Sequence, residues 1–63
     1  MITQIFSQIG DTLTVGVAYS SLISLYNGQG QAYPTKKAAG SLGGSVTQGV
    51  LILNNNGTYT RIK

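Results

Sequence analysis

The stretch Gly49–Lys63, GVLILNNNGTYTRIK, decides how the chain is read. Two runs of strand-forming residues flank the turn formers Asn54-Asn55-Asn56-Gly57. Asn and Gly reach positive φ at low steric cost, so this pattern predicts a β-hairpin with Asn56 and Gly57 at the turn. A two-residue turn there pairs Leu53 with Thr60 and Leu51 with Ile62. Val50, Ile52, Tyr59, Arg61 and Lys63 then share the other face. A four-residue loop keeps those faces, whereas a three-residue loop with Gly57 in a bulge flips one strand relative to the other. In every register Val50-Leu51-Ile52-Leu53 is apolar on both sides and expects cover on both. Arg61 and Lys63 read as edge charges that discourage uncontrolled pairing.

Working back from the hairpin, residues 34–48 carry little to pack. Pro34 lacks a backbone donor and disfavours the α region for Tyr33. Lys36-Lys37 read as a solvated pair, and AAGSLGGSVTQG (38–49) as a flexible run of small residues. The expectation is a long extended Gly-rich strap, an arm lying in a neighbour's groove. Asn27-Gly28 is a second turn signal, either a hairpin turn or a helix cap.

The stretch Thr12–Tyr26, TLTVGVAYSSLISLY, fits two periods. Leu13, Val15, Val17 and Tyr19 alternate as in a strand. Val15, Ala18, Tyr19, Leu22, Leu25 and Tyr26 also form a helical face. Strand is the favoured reading; the alternative is one long helix over 1–26, with Gly16, Ser20 and Ser24 as a small-residue packing groove. At the N-terminus, Ile2, Ile5, Phe6 and Ile9 fall at i, i+3, i+4 and i+7, a short amphipathic helix that Gly10 can close. No basic segment followed by an apolar core and a small-residue cleavage pattern marks a secretory signal.

The fold class expected is therefore small α+β, mainly β, in a single domain. It has a short helix (1–10), antiparallel strands or helix (12–33), the strap (34–48) and a C-terminal hairpin (49–63). A chain of 63 residues without Cys has no disulfide to stabilise it, and its nine glycines raise the entropy cost of folding. Only 8% of residues are charged, against about a quarter in an average domain. Association is the remaining source of stability, so the expected partners are a larger coat protein, copies of itself, or both.

Chemistry is hard to build from this alphabet. Without His or Cys, the Ser-His and Cys-His nucleophile systems are excluded. Asp11 is the single carboxylate, which removes paired acid/base work. Gly28-Gln29-Gly30 does not continue into a dinucleotide fingerprint, and no Gly precedes either Lys as in a phosphate loop. Neither enzyme activity, cofactor nor metal is expected. The net charge of +3 mostly reflects having one acid, so nucleic acid is an unlikely partner on composition alone. The function expected is structural: a minor or cement-type capsid component of a virus or phage, residing in the virion or another assembly. Its interface would be drawn from Val50, Leu51, Ile52, Leu53, Tyr59, Ile62, Ile2, Ile5, Phe6 and Ile9. The alternative is a small membrane-associated or membrane-spanning peptide that uses residues 1–26.

Overall fold

The computed structural model describes residues 2–63. The elements run α1 (Ile2–Ile5), β1 (Thr12–Thr14), α2 (Val15–Gly28), α3 (Pro34–Thr47), β2 (Leu51–Leu53) and β3 (Thr58–Arg61). The three strands form one antiparallel sheet in the order β1-β3-β2. Two helices of 14 residues outweigh strands of three or four, so the fold is α+β and not mainly β.

The C-terminal hairpin forms, in the bulged register. Leu53 pairs with Tyr59, Ile52 with Thr60 and Leu51 with Arg61. The Gly57 N–H donates to the Asn54 carbonyl at 3.2 Å, and the Asn54 N–H to the Thr58 carbonyl at 2.8 Å. Gly57 alone in the loop has positive φ, +79°. This is a three-residue loop, a type I turn closed by a left-handed glycine, and it replaces the two-residue turn expected at Asn56-Gly57. The physical reason is local: a two-residue primed turn would also force Asn56 to positive φ. Side chains fix the loop further. Asn56 Oδ1 accepts from the Thr58 hydroxyl at 2.6 Å, while Asn54 Nδ2 donates to Thr58 and Thr60 at 3.0 and 2.8 Å.

The bulge decides the faces. Leu51 and Tyr59 now point the same way and are buried, with Leu13 opposite Tyr59 packed against the core. Thr12, Thr14, Thr58, Thr60 and Ile52 take the outer face, where the Thr12 and Thr60 hydroxyls hydrogen-bond at 2.9 Å.

The expected strap over 34–48 is a helix. Pro34 is at the first helical position, where its missing N–H costs nothing. Ala38 and Leu42, one turn apart, are fully buried against α2. Gly49, at φ +78°, closes the end: its N–H reaches the Val46 carbonyl and the Val50 N–H reaches Ser45, both of which would otherwise lack partners. Gly40, Gly43 and Gly44 each lower helix propensity by about 1 kcal/mol relative to Ala. Packing of Ala38 and Leu42, with a hydroxyl bond between Tyr26 and Ser41, outweighs them.

The region 12–26 is neither the long strand nor part of one long helix. The strand stops at Thr14, whose side chain caps α2 by accepting from the Val17 N–H at 3.2 Å. From there Ala18, Leu22 and Tyr26 form a buried stripe at every fourth residue. Val17, counted in the alternation, is exposed. A helix over 1–26 is broken by Gly10 at φ +97° and by β1. Asn27-Gly28 lies inside α2; the left-handed residue that ends the helix is Gly30. The N-terminal helix is a single turn, not nine or ten residues. Phe6 is buried, but Ile9 is 67% exposed, because Asp11 accepts from the Gln8 N–H and the Ser7 hydroxyl and turns the chain there.

A Cβ built on Gly43 meets nothing within 4 Å, and its φ is not positive. Gly43→Ala should therefore raise unfolding free energy by about 0.5–1 kcal/mol, measured by urea titration. Leu42→Ala should lower it by about 2–5 kcal/mol, enough to unfold a domain of this size.

Candidate functional site

The polar end of the molecule is built where α2 hands over to α3. Between the caps Gln29 and Tyr33 lie only Gly30, Gln31 and Ala32. Gly30 supplies the left-handed turn, and the Gln31 N–H reaches back to the Tyr26 carbonyl at 3.0 Å. Tyr33 is itself left-handed, φ 57° and ψ 56°, a conformation that costs a non-glycine residue about 1–2 kcal/mol. The residue is 77% exposed.

Lys36 and Lys37 follow in the first turn of α3 and are exposed. No acidic residue lies in that turn, and neither ammonium has a partner among the described residues. The partial positive charge at the start of a helix adds to theirs. At 3.6 residues per turn, Lys36, Gly40, Gly43 and Thr47 lie opposite the buried Ala38 and Leu42, and all four are exposed. The outer face of α3 is thus nearly flat, with cations at its start.

The other charges do different work. Arg61 donates from Nη1 to the Phe6 carbonyl at 2.9 Å and from Nε to the Lys63 carbonyl at 3.0 Å. It holds the N-terminal segment against β3. Asp11 is occupied by the turn it closes. The hairpin is tied to α2 through the Val15 N–H, which donates to the Gly57 carbonyl at 2.9 Å.

The interface residues expected from the sequence divide into two groups. Phe6, Leu51 and Tyr59 belong to the chain's own core, with Ile2 and Ile5 packed on it and Val50 half-buried. Ile9, Ile52, Leu53 and Ile62 remain exposed. Asn56 and Gly57 lie in the three-residue loop between β2 and β3. Tyr33, Lys36 and Lys37, expected in an extended strap, cap α3 or lie in its first turn; Pro34 at a helix start and Ala38, Leu42 and Val46 at four-residue spacing are the signals that mark the helix.

Two open grooves flank α1. One, of about 440 Å³, lies between α1 and α3, with Ser41, Ser45 and Gln48 along it. The other, of about 490 Å³, runs between α1 and α2 past Ser20, Ser21 and Ser24. Among the described residues that line them, none carries a charged side chain. Among the described residues no three His, Cys, Asp or Glu side chains gather to hold a metal, and no helix is long and apolar enough to cross a membrane. Comparison with protein families, curated proteins and solved structures finds no match to this chain.

Replacing Arg61 removes charge-assisted hydrogen bonds to two carbonyls. Arg61→Gln should cost about 1–2 kcal/mol of stability in urea unfolding, whereas Lys63→Ala should change it by less than about 0.5 kcal/mol.

Proposed function

We infer that this chain is a small nucleic-acid-binding module in which α3 is the contacting helix. The observation that carries this reading is where the cations lie. Two of the chain's four, Lys36 and Lys37, occupy the first turn of the second helix in a tightly joined pair. In helix-turn-helix modules that position reaches into the major groove, and the first helix crosses the backbone. The element order helix, strand, helix, helix, hairpin sets β1 beside β3 and leaves α2 and α3 as an adjacent helix pair. Topology alone carries no function; the unpaired lysines, the exposed Tyr33 and the helix dipole behind them support the reading.

The outer face of α3 also limits what is read. Gly40 and Gly43 offer no side chain to a base edge, which leaves Thr47 and the methyl of Ala39 as modest contacts. Binding is then mostly to phosphate, with little sequence discrimination and a strong dependence on salt. The small residues permit a close approach of the helix backbone to the duplex. The low content of cations sets the affinity of one copy as weak.

A second reading, a structural component of a large assembly such as a minor capsid protein, draws support from the exposed Ile9, Ile52, Leu53 and Ile62. The extended arm that first suggested it is a helix, so these side chains now carry it alone. Purification from the native source separates the two readings by what accompanies the chain, nucleic acid or a coat protein.

Fluorescence anisotropy with a labelled DNA duplex tests the first reading. Binding should weaken with a log–log salt slope of about −2, one phosphate for each lysine. The Lys36→Ala, Lys37→Ala double variant should lose nearly all of that slope, while Lys63→Ala keeps most of it. Absence of binding at low salt, or an unchanged slope in the double variant, rejects the reading.

A further inference from the structure

Strand β2 is an edge of the sheet, since β3 lies between it and β1. The Ile62 N–H donates to the Val50 carbonyl and the Asn54 N–H to the Thr58 carbonyl, so positions 50, 52 and 54 turn their backbone groups toward β3. Along an antiparallel strand, alternate residues direct N–H and C=O to opposite sides. The backbone groups of Leu51 and Leu53 therefore point away from the sheet, and no hydrogen bond among the described residues engages them on that side. Ile52 and Leu53 are 47% and 52% exposed beside them.

We propose that β2 pairs antiparallel with the β2 of a second copy of this chain. Free backbone groups in strand geometry are complemented by another strand. The sequence identifies whose. Leu51-Ile52-Leu53 reads the same in both directions, so an antiparallel copy centred on Ile52 places Leu51 opposite Leu53 and Ile52 opposite its own counterpart. Each free N–H and C=O of Leu51 then faces a complementary group of Leu53 across a two-fold axis.

Charge agrees with this choice. β2 has no charged residue, and Arg61 on the neighbouring strand is drawn to the Phe6 carbonyl, away from the edge. Two copies meet there without like charges opposed. The two-fold axis stands perpendicular to the sheet, so the joined sheet runs β1-β3-β2-β2-β3-β1 with both helical layers on one face. The contact closes on itself and leaves no β2 edge for a third copy. Three residues per copy make a short seam, so the dimer forms and dissociates with concentration. This inference does not depend on nucleic-acid binding.

Sedimentation equilibrium from about 5 to about 500 μM protein tests it, together with amide hydrogen exchange. The mass should rise from one chain to two, and exchange at the Leu51 and Leu53 amides should slow in step with it. Two variants separate pairing from folding. Ile52→Lys adds a charge at the axis on an exposed side chain. Leu53→Pro removes an N–H that has no partner within the chain and blocks the edge. Both should remain single chains with unchanged far-UV circular dichroism. A wild-type chain that stays monomeric throughout overturns the proposal. So does a dimer that survives both variants, one that leaves the Leu51 and Leu53 amides unprotected, or an assembly that keeps growing.

Discussion

The structure depends on the pairing of β1 with β3. Thr12, Leu13 and Thr14 match Thr60, Tyr59 and Thr58, and the match continues past the strand ends. The Gly10 N–H reaches the Arg61 carbonyl at 2.7 Å, and the Arg61 N–H reaches the Asp11 carbonyl at 3.0 Å. The Arg61 side chain adds a third tie to Phe6. With β3 held on one side by β1 and on the other by β2, Tyr59 and Leu51 are presented together to the helices. The core closes over them from α2 and α3, with Phe6 buried in the same cluster.

Local signals were legible where backbone chemistry dominates. Asn54 to Gly57 marked the hairpin because few residues suit that turn, although the register turned on whether one residue or two adopted positive φ. The residues of α2 were half legible: Ala18, Leu22 and Tyr26 were in view as a helical face, but the alternation of Leu13, Val15, Val17 and Tyr19 competed with it. The deciding residue was Thr14, a strand former whose hydroxyl also caps a helix. The largest departure was α3. Its glycines argue against a helix when each residue is weighed alone, and its evidence lies in contacts with α2 and the sheet. Tertiary packing overrode propensity there.

That departure also moved the site. In an extended strap, Lys36 and Lys37 are two solvated charges; on the first turn of a helix they point outward beside a dipole of the same sign. Composition could not reveal this, because the charge balance is unchanged and only its placement differs. The apolar residues were likewise sorted by the fold. Leu51 and Ile52 are neighbours of similar character, yet one is in the core and the other faces water, and the bulge at Gly57 determines which.

The pairing of β1 with β3 has a kinetic consequence. The hydroxyls of Thr12 and Thr60 meet across 48 positions of sequence, so closing this ladder confines most of the chain before any of its ladder hydrogen bonds form. The Gly-rich α3 is a poor helix by itself and depends on packing for its stability. Two distant short segments must find one another to close the sheet, and α3 draws its support from the packing that the sheet and α2 provide. Helices with mostly local contacts favour fast folding, and this non-local ladder works against it.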